Sequence, residues 1–287
     1  MSRLPLLLAF AATACAPEVG EPAWLVARPR ILAVKSVPAE VRPGDAVTLD
    51  LLLAGAPPHV AAQSQWSVCK TAKPPIEDNV VARACVDEPG TPAAVGPSVS
   101  IAMPADACRV FGPDPPGPGL RARDPDVTGG YYQPVRVQAA GEVAFAMVRV
   151  FCNLPQASRA VAQAYREQYR LNQAPVLGPL LIDGAAARAV PGGSLHRLSV
   201  PAAGREGYVR FDALAGALQP AVESLRATWF VTGGSLEDDD DDNDANQGQA
   251  DVRWTAPAGG APVEIFVVLR DSRSGVDFRT AVVDVLP

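Results

Sequence analysis

The chain has 287 residues, of which 48% are hydrophobic and 20% are charged, a balance typical of a globular protein. Its 29 prolines and 24 glycines argue against an all-helical protein, because proline lacks the amide hydrogen that a helix interior needs. The net charge is −6, but seven negative charges lie between residues 237 and 244, so the rest of the chain carries a net charge of +1. No basic surface that would bind nucleic acid is therefore expected.

The first 15 residues have the pattern of an export signal. Arg3 precedes an apolar run over residues 4–10, which is far shorter than the roughly 20 residues that a membrane-spanning helix needs. The following Ala12-Thr13-Ala14-Cys15 resembles a bacterial lipobox, with Ala12 where leucine is usual. This resemblance implies a signal peptide over residues 1–14 and a lipid on Cys15, through which the protein would be attached to a membrane.

Two further observations bear on where the protein is located. Five cysteines leave one without a partner, and lipidation of Cys15 would account for it. Ala16 stands where aspartate would resemble a signal for retention in the inner membrane, so the outer membrane of the cell envelope is favoured. The alanines at positions 12 and 14 also satisfy the rule for ordinary secretory cleavage, and a secreted or periplasmic protein is the alternative.

Residues 15–29 show no hydrophobic period and are predicted to be a tether, followed by a first domain over residues 30–154. Alternating apolar residues predict strands in this domain at 31–37, 47–51, 65–69, 99–103, 135–137 and 142–152. The last of these strands is apolar on both faces, which is typical of a central strand in a sandwich. A proline-rich stretch over residues 104–126 predicts a long surface loop.

The segment 155–174 is predicted to be a helix that bridges two β domains. Apolar residues recur at helical spacing from Gln156 to Leu171, and Pro155 and Pro175 bound the pattern. A second β domain is predicted over residues 175–287, with an acidic loop over 237–251. Its predicted strands are 180–183, 194–200, 208–211, 225–232, 251–255, 264–270 and 277–285.

Several segments resemble bacterial immunoglobulin-like and PKD-like domains. In the second domain these are Thr228-Trp229-Phe230-Val231-Thr232-Gly233-Gly234, Arg253-Trp254-Thr255-Ala256-Pro257 and the hairpin strand that begins at Val263. In the first domain, residues 38–49 are similar to the opening turn and second strand of the same family. The resemblance implies a mainly β protein with two immunoglobulin-like β-sandwich domains and one inserted or bridging α-helix. As a whole the chain resembles uncharacterised envelope lipoproteins of Gram-negative bacteria.

The remaining cysteines are predicted to form two disulfides within the first domain. They are Cys69, Cys85, Cys108 and Cys152. Three pairings are possible, and the most local one joins Cys69 to Cys85 and Cys108 to Cys152, which makes it the favoured arrangement. Zinc is not expected, because no two cysteines are spaced as closely as a structural zinc site needs.

The acidic run presents carboxylates at positions that calcium could use. Asp240, Asp242, Asp244 and Asp251 occupy the first, third, fifth and twelfth positions of an EF-hand-like loop. Ala245 replaces the glycine that makes the turn in such loops, and no flanking helices are predicted. A solvated loop is therefore favoured, and a calcium-dependent adhesion or assembly module is the alternative function.

Catalytic motifs are missing from the sequence. Its histidines are His59 and His196, both expected at the surface, and no nucleophile elbow, zinc-protease motif or phosphate-binding loop occurs. Tyr131 and Tyr132 follow two glycines and are candidates for stacking on a sugar or anchoring a protein partner, although packing at the end of a strand explains them equally well. The sequence therefore predicts a non-catalytic envelope protein without a required cofactor that presents loops to a protein or glycan partner.

Overall fold

The structure is a computed structural model that describes residues 21–72, 77, 80–88, 90–110, 129–154, 157–237 and 243–287. Within these ranges the protein consists of β-sheets with a few short helices, so the predicted mainly β class is confirmed. The sheets form two units, each around its own hydrophobic core. The predicted signal peptide and Cys15 lie outside the described residues.

The first unit consists of two facing sheets. Their strands are β1 (Arg30–Val37), β2 (Glu40–Val41), β3 (Ala46–Ala54), β4 (Gln65–Val68), β5 (Ala94–Val95), β6 (Ser98–Ala102), β7 (Gly130–Ala139) and β8 (Glu142–Phe151). One sheet has the order β1-β3-β6 and the other the order β2-β8-β7-β4-β5. Short helices lie between the strands: α1 (Pro58–Ala61), α2 (Arg83–Asp87) and α3 (Ala107–Val110).

Trp66 of β4 is fully buried in the core of this unit, and its indole nitrogen donates to the carbonyl oxygen of Gly96 at 2.8 Å. Disulfides join Cys69 to Cys85 and Cys108 to Cys152, so the predicted pairing is confirmed. The strand β8 turns Ala144, Ala146, Val148 and Val150 towards the core. Its opposite face is covered, in part by the segment that carries the Cys69–Cys85 disulfide, which explains why both faces are apolar.

The second unit also consists of two main sheets. Its strands are β9 (Val176–Leu177), β10 (Leu181–Ile182), β11 (Ala189–Pro191), β12 (Leu195–Ala203), β13 (Gly207–Asp212), β14 (Ala217–Val222), β15 (Leu225–Val231), β16 (Ser235–Leu236), β17 (Asn243–Asp244), β18 (Gln249–Thr255), β19 (Val263–Asp271) and β20 (Val276–Leu286). One sheet has the order β10-β12-β18-β16, with β9 beside β12, and the other has the order β11-β20-β19-β15-β17. The strands β13 and β14 form a separate hairpin, of which the sequence predicts only the first strand.

Trp254 of β18 has the same role in the second core that Trp66 has in the first. It is fully buried, and its indole nitrogen donates to the carbonyl oxygen of Gly233 at 3.0 Å. In each unit, the indole N–H of a buried tryptophan thus donates to a backbone carbonyl of a neighbouring loop, as a buried indole requires.

The helix α4 (Arg159–Gln168) packs between the two units. The hydroxyl of Ser158 accepts from the amide of Val161 and caps its first turn, which is why the helix begins later than the sequence predicts. Tyr165 lies against Phe151 of the first unit and, with Tyr169, shares a hydrophobic cluster with Phe211 of the β13–β14 hairpin. The predicted bridging segment therefore contacts both units.

The end of the predicted tether is part of the fold, which corrects that prediction for its last residues. Leu25 forms a parallel bridge with Val231, and the amide of Val26 donates to the carbonyl of Val231 at 2.9 Å. Val26 is 4% exposed and packs with Phe230 and Phe266. The weak local pattern gives no sign of this, because the partner strand lies some 200 residues further along the chain.

Candidate functional site

The two units share a hydrophobic contact. Leu32 and Leu52, from β1 and β3, pack against Phe230, Phe266 and Val268 of the second unit, and all five side chains are buried. The guanidinium of Arg270 adds a hydrogen bond to the carbonyl of Leu32 at 3.1 Å. The units are therefore held together by an apolar interface in addition to the helix.

Beside this contact lies a group of buried charged and polar side chains, here called the interdomain charge cluster: Glu40, Arg149, Tyr169, Glu223 and Arg273. Glu40 and Arg149 belong to the first unit, Tyr169 follows α4, and the other two belong to the second unit. Arg149 Nε lies 3.0 Å from Glu40 Oε1, and both side chains are fully buried. The Tyr169 hydroxyl donates to Glu40 Oε2 at 2.8 Å, which links the helix to the first unit.

Arg273 connects the cluster to the second unit. Its Nη1 donates to the Tyr169 hydroxyl at 3.0 Å, its Nε lies 2.5 Å from Glu223 Oε1, and its Nη2 lies 3.0 Å from Glu206 Oε2. Burial raises the pKa of Tyr169 to about 12, so its hydroxyl remains a donor at neutral pH. Burial also raises the pKa of Glu223, although the hydrogen bond from Arg273 opposes that shift. The cluster thus connects both units and the helix through mutually dependent ion pairs.

No sequence pattern identifies this cluster as a group. Each of its members occurs in a strand, turn or helix end where a charged residue would ordinarily face solvent, and Glu40 and Arg149 are 109 residues apart. The one signal available is that Arg149 interrupts the apolar face of the predicted strand 142–152, since an arginine among apolar residues needs a buried partner.

A further ion pair joins the units at Asp277. Burial of Asp277 opposes its ionisation, but the amide of Leu177 and the ammonium of Lys35 outweigh that effect, so the pKa of Asp277 is lowered. Leu177 N donates to Asp277 Oδ2 at 2.9 Å, and Lys35 Nζ lies 2.9 Å from Asp277 Oδ1. The carboxylate therefore stabilises the fold above its ordinary pKa of 3.8, and that stabilisation is lost as the pH falls through the lower value in the folded state.

We expect Asp277→Asn to lower the free energy of unfolding by about 1.5–3 kcal/mol at pH 7, as for the loss of hydrogen bonds to a charged group. The difference from the wild type should shrink as the pH falls below 3.8. Urea unfolding at a series of pH values measures both. Lys35→Met removes the ion pair between the units but keeps the Leu177 hydrogen bond and the Arg279 ion pair, so it should have the smaller effect. An Asp277→Asn variant whose loss of stability is the same at all pH values would contradict the assignment.

Ser194, His196 and Asp183 form a hydrogen-bonded chain that the sequence analysis does not anticipate. Ser194 Oγ lies 2.6 Å from His196 Nε2, and His196 Nδ1 lies 2.8 Å from Asp183 Oδ2. The His196 side chain is 10% exposed, so the expectation that it lies on the surface is wrong. Asp183 also accepts from the amide of Arg197, and these bonds lower its pKa. The order of side chains along these hydrogen bonds resembles that of a nucleophile, a base and an orienting carboxylate.

Several groups around Ser194 that acyl transfer would use are engaged in hydrogen bonds within the protein. The carbonyl oxygen of Pro191 also lies within hydrogen-bond distance of Ser194 Oγ and competes with His196 Nε2 for its one proton. The amides of the adjacent glycine turn are engaged as well: Gly192 donates to Leu286 and Gly193 to Pro257, which leaves neither to bind an oxyanion. Asp183 has a φ of 52°, a conformation that aspartate tolerates in turns. The chain of bonds also links the turn before β12 to Asp183.

Tyr131 and Tyr132, the candidates for recognition, lie in the first residues of β7 and not in a loop. Both are half-buried. Tyr131 packs against the core of the first unit, and the guanidinium of Arg149 lies 5.1 Å from the ring centre of Tyr132. These contacts give both rings a structural role, and the recognition role stays a prediction.

The proposed calcium ligands fall partly outside the described residues, since Asp240 and Asp242 are not among them. Asp244 Oδ1 accepts from the amide of Asn246 at 2.7 Å, and Asp251 Oδ1 lies 2.8 Å from Arg197. In the part of the chain that the structure describes, no three acidic, histidine or cysteine side chains are grouped to hold a metal ion. Calcium binding by the acidic loop therefore stays a prediction.

Comparisons with known proteins give little further information. No protein-family model matches the chain, and neither does any curated protein. Among solved structures, the D0-D1 domain of intimin is 10% identical, with 88% of this chain and 98% of that chain covered and a TM-score of 0.23. The Yersinia pseudotuberculosis adhesin InvE is 13% identical, with 88% of this chain and 58% of that chain covered and a TM-score of 0.24.

A nucleoside hydrolase-related hypothetical protein from Saccharophagus degradans is 21% identical over 40% of this chain, with a TM-score of 0.24. The match covers 26% of that protein, so this chain spans about a quarter of its length. At such TM-scores none of these similarities carries an argument, and the description of the fold rests on the sheets themselves. Within the described ranges, no helix is both long and apolar enough to cross a membrane.

Proposed function

We propose that this chain is a non-catalytic protein of the cell envelope, attached to the outer membrane by a lipid on Cys15, that presents loops to a protein or glycan partner. The export pattern of residues 1–15 supports this location. The two disulfides support it too, because such bonds persist in oxidising compartments outside the cytoplasm.

The observation that carries the binding or structural role is the interdomain charge cluster. Its buried ion pairs and the adjacent apolar contact hold two β units and a helix in one fixed arrangement. Such an arrangement suits a protein that displays a surface of constant shape, since loops on a rigid scaffold lose little freedom when a partner binds. The buried side chains of the cluster bond to one another, which supports a structural role for them.

The proposed location and lipid attachment are tested by Cys15→Ala in a Gram-negative host. Wild-type protein should incorporate radiolabelled palmitate and sediment with outer membranes, and the variant should lose the label and become releasable without detergent. Cys108→Ala, which removes a cysteine of the folded part, is the matched control and should keep the label. Unlabelled wild-type protein in the soluble periplasmic fraction or the medium would favour ordinary secretion instead.

The absence of catalysis is tested at Ser194. We expect a fluorophosphonate probe to leave the protein unmodified by intact-mass analysis, because the Ser194 hydroxyl and the amides of the neighbouring glycines are already engaged within the protein. A single adduct that disappears in Ser194→Ala, and in His196→Gln, would contradict the proposal and identify a serine hydrolase.

A further inference from the structure

A cavity of about 970 Å³ opens in the first unit, away from the interdomain charge cluster. It lies beside the Cys69–Cys85 disulfide, between β4, β6 and the helix α2. Its volume is at the upper end of the range for sites that bind small organic molecules.

Arg136 lines this cavity and has no charged partner among the described residues. Its side chain projects from β7, and the residue is 8% exposed. Nη1 donates to the amide oxygen of Gln138 at 3.1 Å, whereas the buried Nε has no hydrogen-bond partner within the protein. Within the described part of the chain, no carboxylate lies within 4.0 Å of its guanidinium.

A buried guanidinium in this state is costly, because the charge has lost much of its hydration without gaining a counter-ion. The carboxylates that line the same cavity do not supply one. Asp106 is paired with Arg109 at 3.5 Å, and Glu88 is exposed. A bound anion would give Arg136 the partner that the protein does not provide, through the charge-assisted hydrogen bonds that a guanidinium forms best.

The remaining walls indicate what kind of anion would fit. Val68, Ile101 and Ala84 provide apolar surface, and Ser67 and Ser100 also line the cavity. Inorganic phosphate or sulfate would leave most of this volume and its apolar surface unfilled. We infer that the cavity binds a small organic acid, with its anionic group on Arg136 and its apolar body against β6 and α2. This inference is independent of the lipid anchor.

The inference is tested with 8-anilinonaphthalene-1-sulfonate, a fluorescent organic anion with an apolar body. Titration of the wild-type protein at pH 7 in 0.15 M salt should show one saturable site. Arg136→Gln should weaken binding at least tenfold, because the charged contact is lost. Arg210→Gln, which removes an exposed guanidinium on β13, is the matched control and should bind as the wild type does.

A second variant tests the same cavity without changing Arg136, in case Arg136→Gln does not fold. Ala84→Phe retains the charge but places a ring in the cavity from the exposed helix α2, and it too should weaken binding at least tenfold. The uncharged probe N-phenyl-1-naphthylamine should bind far more weakly than the sulfonate. Thermal melting and the count of free thiols establish that each variant is folded with both disulfides formed. No saturable binding by the wild type, or equal binding by wild type and both cavity variants, would overturn the inference.

Discussion

Replacing Arg273 by methionine is expected to lower the free energy of unfolding by about 3–5 kcal/mol, a large part of the stability of an ordinary domain. The methionine fills much of the apolar volume of the arginine but leaves the Glu223 carboxylate, which is fully buried, without its partner. The Tyr169 hydroxyl loses a donor at the same time. Urea unfolding at pH 7, followed by tryptophan fluorescence, measures the change.

Two further variants distinguish the effect of breaking a buried ion pair from the effect of removing an arginine as such. Arg253→Met removes an exposed ion pair with Glu237 on the same unit and should cost less than about 1 kcal/mol. The double variant Arg273→Met with Glu223→Gln should recover part of the loss, because no unpaired charge is then buried. A loss below 1 kcal/mol for Arg273→Met alone would mean that the cluster contributes little to holding the units together.

Removal of the Cys108–Cys152 disulfide by alanine at both positions is expected to cost about 4 kcal/mol. The bond closes a loop with a sequence separation of 44, and its main contribution is to restrict the unfolded chain. The Cys69–Cys85 bond closes a separation of 16, so its removal should cost less, about 3 kcal/mol. Urea unfolding of the two double-alanine variants, each with the other disulfide intact, tests the order.

The comparison between the two variants is more informative than either value. Cys69, Cys85 and Cys152 are all buried, so each double variant also leaves a small cavity, and that cost is similar in the two. If the Cys69–Cys85 variant proved the less stable of the two, packing of its cluster with Phe145 and Met147 would outweigh the entropy of loop closure.

The strands are largely predictable from the sequence, because their signal is local. Val47, Leu49 and Leu51 alternate with polar residues, and the structure places β3 over Ala46–Ala54. The apolar pattern on both faces of residues 142–152 correctly indicates a strand that is covered on both sides. Short strands such as β9 and β11 are missed, since two or three residues carry no period.

The candidate sites are less predictable, because they depend on contacts between distant residues. Nothing near Glu40 indicates that Arg149 will lie beside it, nor does the sequence around Arg136 indicate a cavity. Ser194 and His196 are close in sequence, but their link to Asp183 requires the pairing of β10 with β12. Arg149 is the exception, because a charged residue on an apolar strand face indicates a buried partner.

The pairing of residues 24–26 with Val231 limits how far from the membrane the fold of a lipidated molecule could begin. Trp24 is nine positions after Cys15, and an extended chain covers at most about 3.5 Å per residue, so Trp24 would lie within about 30 Å of the lipidated cysteine. That reach is roughly the width of one small domain. The distance at which a partner could bind would then be set by this short span together with the dimensions of the two units, and not by a long flexible tether.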